Sequence, residues 1–204
     1  MTNANINEES HQINEVSRFI LLLLGAKGGI PIPGPLWLQK EMLLIQDAIP
    51  SLADELDFEP YLMGPHSEIV ANEAEELRKS SLIKTEGGKT SLTEKGKLLV
   101  EDLLRQADKK ELEKIEELKD FVNDLPKDEL LAFIYFAYPT DEIETDAIKN
   151  ESFEYQDLLP KRKKLARSLY MKGKISAHRA AQVAGDDLET FVEYLKNPDN
   201  SFRG

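Results

Sequence analysis

The stretch "LIKTEGGKTSLT", residues 82–93, decides the fold. Two short β-prone runs flank Gly87-Gly88, a glycine pair that supplies the positive φ of a two-residue hairpin turn. A purely helical bundle would share the apolar periodicity of the flanking segments but has no use for a Gly-Gly hairpin. The predicted class is therefore mainly α with a small β-hairpin. Upstream, Asn14 to about Ala26 crowds its apolar residues into a strongly buried helix. "GGIPIPGP" (28–35) is a turn-rich break. Trp37, Leu38, Met42, Leu43 and Ile45 then mark a second amphipathic helix, with Pro35 near its first turn. "DFEPYLMGPHSE" (57–68) is extended and broken by two prolines. Ser67 can cap a third helix, 68–80, with Ile69, Leu77 and alanines for its buried face. Downstream, "EKGKLLVEDLL" opens a fourth. Three helices, a hairpin and a helix are the plan of a winged-helix domain.

A charged helix follows from Asp108 to Leu125, with a narrow apolar seam of Leu112, Ile115, Leu118 and Val122. "PKDELLAFIYFAYP" (126–139) is a helix with Pro126 at its start and Pro139 past its end, apolar nearly all round. Such a helix is buried against the winged domain or forms a dimer interface. Residues 1–13 are polar and read as a frayed end.

Near the C-terminus, "GKISAHRAAQVAGDDLETFVEYL" (173–195) reads as a helix-turn-helix. Ala181 lets two helices cross closely, and Gly185 permits the turn. Leu188, Phe191 and Leu195 are placed to face a core shared with Ile175, Ala180 and Val183. Ser176 caps the middle helix, and a helix over 161–172, with Leu165, Leu169 and Tyr170 apolar, supplies the third. The predicted organisation is a winged-helix domain with helical extension (14–138), an acidic connector (139–160) and a basic three-helix helix-turn-helix unit (161–197).

The chain has 204 residues, enough for one medium domain or two small ones. It has no cysteine, which excludes disulfides and zinc–thiolate sites and fits a reducing interior. The longest apolar run, "FILLLLGA" (19–26), is far shorter than the roughly 20 residues a bilayer span needs, and nothing around it reads as a signal peptide. No membrane role is expected, and the expected place is the cytoplasm.

The net charge is -12, but its distribution is uneven. Residues 161–180 hold Lys161, Arg162, Lys163, Lys164, Arg167, Lys172, Lys174 and Arg179 with no acid, a block of +8, so the rest of the chain carries -20. The connector just before it is net -6. These eight cations, with Lys84 and Lys89 of the hairpin, are the candidate DNA-contacting residues; they would grip phosphate rather than read bases. A basic start such as "KRKK" opposes the helix dipole, which favours acids there, and so points to a functional patch as much as to a solvated helix start. Both candidate reading helices are acidic. The third helix carries Glu68, Glu73, Glu75 and Glu76, with Arg78 and Lys79 at its end. The last helix opens on Asp186 and Asp187 and adds Glu189 and Glu193. Acids can accept from cytosine N4, yet beside phosphate a like-charge pair costs about 1 kcal/mol at about 4 Å even in bulk water. An acidic connector folded over the basic patch would mask it.

"LWLQKEMLLIQ" (36–46), "FEPYLMGPHSEIV" (58–70) and "LTEKGKLL" (92–99), in this order and spacing, resemble the YwgA-like winged-helix family and, more distantly, the Panacea domain of antitoxins. The likeness covers roughly residues 14–138. "ARSLYMKGKISAHRAAQVAGDDLETFVEYL" (166–195) is similar to short prokaryotic antitoxin-like helix-turn-helix proteins. The resemblance implies regulation or antitoxin activity without catalytic residues. Where that pattern places a variable, often polar or basic residue after the turn glycine, this chain has Asp186 and Asp187.

Catalytic and cofactor signals are weak. "GAKGGIPIPG" (25–34) lacks the Gly-Lys-Ser/Thr ending of a phosphate loop and reads as an interhelical turn. His11, His66 and His178 lack metal-ligand spacing, and His66 packs or caps beside Ser67. No carboxylate pair stands in an apolar setting. No cofactor and no metal are expected, and enzyme is the least favoured class. Two readings remain: a DNA-associated transcription regulator, with a homodimer supplying two half-sites, or an antitoxin-like or adaptor protein whose acidic winged domain binds a basic protein partner.

Overall fold

The computed structural model describes residues 13–138 and 150–197. Among these the chain is mainly α with one two-stranded antiparallel hairpin. Strands β1 (Ile83–Glu86) and β2 (Lys89–Leu92) pair in the register Ile83↔Leu92 to Glu86↔Lys89, which leaves Gly87-Gly88 as the two-residue loop. Both glycines have positive φ, 57° and 79°, as that turn requires.

The chain divides into two compact units, one of residues 1–58 and 66–124, the other of residues 59–65 and 125–204. In the first unit, α1 (Glu15–Gly29), α2 (Pro35–Ala48) and α3 (Glu68–Lys79) precede the hairpin, and α4 (Glu94–Gln106) and α5 (Lys109–Asn123) follow it. Local sequence sets the ends. Asn14, Ser67, Thr93 and Asp108 each turn a side-chain oxygen onto the backbone amides of the helix that follows. Pro35 opens α2, where a missing N–H costs nothing. The helical backbone of α1 ends at Ala26, and Lys27 and Gly28 turn into the left-handed region. Between α1 and α2, Ile32 is fully buried and exchanges both backbone hydrogen bonds with Thr90, each 2.9 Å, which adds a third rung beside the hairpin.

The core of this unit is built on α1, whose residues 19–24 are 1% exposed or less, with Met42, Ile45, Val70, Leu99 and Ile115 packed around it. Two predicted faces are rotated from expectation. On α3, Ile69 is 37% exposed and Val70 takes the buried position, since the α3 stripe runs through Val70 and Leu77. On α5, Ile115 and Val122 are buried as predicted, but Leu112 and Leu118 are only half-buried, and Lys119 fills the interior between them at 1% exposure.

In the second unit, α6 (Lys127–Phe136) packs on α8 (Arg162–Met171) and α9 (Ala177–Ala184), with α7 (Phe153–Leu158) beside it and α10 (Leu188–Lys196) against α9. The expected boundary at residue 138 is therefore displaced: α6 groups with the C-terminal helices, and the division falls at 124/125. The physical reason is its all-round apolar surface. Leu130, Leu131, Ala132 and Ile134 are 1% exposed or less, enough to serve as the central helix of that unit rather than as an appendix. Leu62, in the stretch expected to be merely extended, accepts hydrogen bonds from Tyr135 Oη (2.7 Å) and Ser152 Oγ in the same unit. On α10, Phe191 is fully buried, but Leu188 is 44% exposed rather than in the core. Of the acidic connector, 139–149 lies outside the described residues, as do 1–12 and 198–204.

The glycine of "LTEKG" explains its own place. A Cβ at Gly96 would stand 2.0 Å from the carbonyl oxygen of Leu82, so α4 can approach the hairpin only without a side chain there. Helix propensity alone favours alanine by about 1 kcal/mol inside a helix. Gly96→Ala is expected to reverse that sign and destabilise the first unit by about 2 kcal/mol or more, read by denaturant unfolding; a stabilised variant would show that the close approach is not required.

Candidate nucleic-acid interface

The basic block of residues 161–180 decides whether the second unit can hold phosphate. Five of its eight cations are bound to groups of the same unit, although Lys163, Lys172 and Arg179 among them stay exposed. Arg162, on the first turn of α8, donates from Nε to the carbonyl of Val183 (2.7 Å) and from Nη2 to that of Gln182 (2.9 Å). Those are carbonyls at the C-terminal end of α9, where a helix presents unpaired acceptors and partial negative charge. The guanidinium also lies 4.1 Å from the centroid of the Phe136 ring. Burial lowers its pKa from the usual arginine range, with Tyr155 and Asp186 opposing. Gly185 is shaped around it: φ is 77°, and a Cβ there would meet the guanidinium at 2.9 Å.

Four of the other cations are also engaged within the unit. Lys163 reaches Asp186 at 3.1 Å. Lys161 donates to Asp157 and Asp128, and the hydrogen bond it gives to Asp157 leads in raising its pKa. Lys172 grips Glu129 through both carboxylate oxygens (2.7 and 2.8 Å), and Ser168 donates to the same group. Arg179 donates to the carbonyl of Ala137, the C-cap of α6, and to Gln182 Oε1 at 3.4 Å. Arg167 is half-buried, with Nε buried and unpartnered, and Lys174 is half-buried. Lys164 is exposed and forms no ion pair or hydrogen bond among the described residues. In the hairpin, Lys84 is tied to Glu86 at 2.8 Å on its own strand, while Lys89 is exposed without such a partner among the described residues. The unit thus brings eight candidate cations onto a few adjacent turns and leaves one of them plainly open.

The two aspartates after the turn also have structural roles. Asp187 is the N-cap of α10: one oxygen accepts from the Thr190 amide and the other from the Thr190 hydroxyl, both at 2.8 Å. The backbone bond, then the hydroxyl, hold its carboxyl below the usual range. Asp186 answers Lys163. The exposed side of α10 is left with Leu188, Glu189, Thr190, Glu193 and, in its last turn, Lys196.

On α3, the corresponding helix of the first unit, Arg78 pairs with Glu75 (2.6 Å) and Lys79 with Glu76 (2.7 Å), while Glu73 accepts from Ser17 at 2.7 Å. A groove of about 670 Å³ beside the hairpin is lined by Gly28, Gly29, Thr93 and Val100 with Lys84 and Lys97, and both lysines are paired, Lys97 with Glu94 at 2.6 Å. His66 lies 3.4 Å from Glu68, and among the described residues no cluster of three or more His, Asp or Glu could hold a metal ion. The sequence reading missed three buried charges, Lys40, Glu41 and Lys119, each 1% exposed or less. A signal was present: Lys119 sits on the Ile115–Val122 seam, and Glu41 lies between Leu38 and Ile45 on the buried stripe of α2.

No protein-family model, curated protein or solved structure matches the chain.

Arg162→Ala leaves two helix-end carbonyls without donors and is expected to destabilise the second unit by about 2 kcal/mol. Lys164→Ala, on the same first turn but exposed, should stay within about 0.5 kcal/mol. Thermal unfolding of the two variants side by side checks this; equal small effects would return Arg162 to the surface.

Proposed function

We propose that this chain is a non-enzymatic regulatory protein of the cytoplasm, an antitoxin-like or adaptor module that works by binding a basic protein surface through α3 of its first unit. In a winged-helix reading of the order α1, α2, α3, hairpin, α4, the third helix occupies the reading position. The observation that carries the proposal is the charge state of that helix. Each of its cations is matched by an acid one turn earlier, and Glu68 and Ile69 stand outward beyond them. A helix entering a groove between phosphates needs uncompensated cations, because phosphate neutralisation supplies most of the non-specific affinity. A helix meeting a lysine- or arginine-rich protein surface needs net negative charge, and α3 carries it, four glutamates against Arg78 and Lys79, beside the exposed Ile69.

A second reading, DNA association through the second unit, is favoured by one observation. Gly185 makes the left-handed turn between α9 and α10 that a helix-turn-helix uses, with Asp187 capping the second helix. On this reading Lys164 would supply a backbone contact and a homodimer would set the half-site spacing.

Fluorescence anisotropy with the full chain separates the two, using a labelled oligolysine peptide and a labelled random duplex at low and moderate salt. The expected result is salt-sensitive oligolysine binding that is lost in the triple variant Glu68→Gln, Glu75→Gln, Glu76→Gln, with no duplex binding at low salt. Duplex binding with a steep salt dependence, weakened by Lys164→Ala, would overturn the protein-partner reading in favour of the second.

A further inference from the structure

Within the first unit, one polar arrangement serves neither reading. Glu41 of α2 and Lys119 of α5 are buried at 0% and 1% exposure. Lys119 Nζ donates to the carbonyls of Leu23 (2.7 Å), Leu24 (3.3 Å) and Ala26 (3.0 Å), the last of α1 before its backbone turns away. An ammonium has three hydrogens, and these three bonds use them all. Neither oxygen of Glu41 has a hydrogen-bond partner.

Helix α5 continues the grip along the same turn. Asp120 binds Lys27 at 2.7 Å, and Asn123 donates to the carbonyl of Pro31 at 3.4 Å. The next residue, Ile32, is the one paired through both backbone bonds with Thr90 of β2. So α5 fixes the turn after α1, and the turn delivers Ile32 to the hairpin. We propose that α5 is a proton-gated strap: loss of one proton from the Glu41–Lys119 pair lets α5 lift from α1 and α2, freeing that turn and, through Ile32, the hairpin. The inference is independent of whether α3 meets protein or DNA.

The groups facing the pair are few. Lys119 is the charge acting on Glu41; Asp120 acts on Lys119; Lys40, beside Glu41 on α2, is itself buried; α1 contributes carbonyls, and its nearby charge Lys27 is held by Asp120. From α3, Glu73 is engaged by Ser17. Burial pushes the Glu41 carboxyl up from 4.5 to about 8, against the pull of Lys119. Burial pushes Lys119 down from 10.5 to about 8, with Glu41 and Asp120 opposing.

The sign follows by linkage. Once α5 lifts, Glu41 is hydrated and regains its ordinary acidity. Between 4.5 and about 8, opening therefore releases a proton, and the opening constant grows with pH by at most about tenfold per unit. Above about 8 the dependence reverses, because the hydrated Lys119 takes back a proton that its buried form has shed. Acid closes the strap, and opening is greatest near pH 8.

Hydrogen exchange of the Ile32 and Thr90 amides in the full chain, corrected for intrinsic exchange, tests this between about pH 5.5 and about pH 7.5. The opening constant is expected to rise at least about fivefold in the native sequence and to stay flat in Glu41→Gln. Glu41→Met serves the same comparison should the glutamine variant fail to fold. The Leu21 amide, deep in α1, should not follow. Equal constants at the two pH values, the same rise in the Glu41 variant, or a matching rise at Leu21 (global unfolding rather than a strap) would each overturn the proposal.

Discussion

A helix that ends inside a small folded unit leaves carbonyl oxygens pointing at neighbouring helices instead of water, and each needs a donor. In this chain lysine and arginine supply it. Lys119 closes α1, Lys114 reaches the Ala48 carbonyl at the end of α2 (2.7 Å), Arg179 closes α6 and Arg162 closes α9. A cation suits the role twice over, as a donor to the carbonyls and as a charge against the negative end of the helix dipole. The arrangement recurs in both units, so it is a constraint of building with short helices and tight turns rather than a feature of one site. It also decides the surface. Cations that hold helix ends are not free to hold phosphate.

That constraint explains what could be read from sequence and what could not. The hairpin was legible because a glycine pair meets the positive φ at both positions of its turn without strain, and the register places Gly87-Gly88 where the pattern put them. Ser67 and Ser176 were legible as caps because capping is local chemistry between residues three apart. The turn at Gly185 was legible for the same reason. The destinations of Arg162 and Lys119 were not, because each bonds to carbonyls that sequence leaves unmarked, 21 residues away for Arg162 and up to 96 for Lys119. A run such as "KRKK" looks alike whether its members face solvent or close a neighbouring helix. The rotated faces at Ile69 and Leu188 are a smaller case: one residue along a helix is 100° of rotation, and periodicity cannot fix which neighbour the core selects. The sequence pattern placed the helix over 126–139 against the winged domain or in a dimer interface; α6 packs instead with the C-terminal helices, a choice of unit that its apolar pattern does not mark in sequence.

The acid surplus takes on a different meaning in this light. Within the basic block, Lys161, Lys163 and Lys172 are each paired with a carboxylate, so its uncompensated positive charge is smaller than the sequence suggests. Asp186 and Asp187, which in sequence stand where bases would be read, answer Lys163 and cap α10. They argue for a well-built turn and say little about what the turn touches. The proposed protein contact on α3 therefore draws on its net acidity, four glutamates against two cations, and on the exposed Ile69.

The most direct measurement is the Nε–H resonance of Arg162 in the full chain, followed by nuclear magnetic resonance with and without duplex DNA. A proton donated to the Val183 carbonyl should be resolved, exchange slowly with water and stay in place when duplex is added. A resonance that exchanges at the rate of a free arginine side chain, and moves as duplex is titrated in, would contradict the claim that the basic block is spent on the fold.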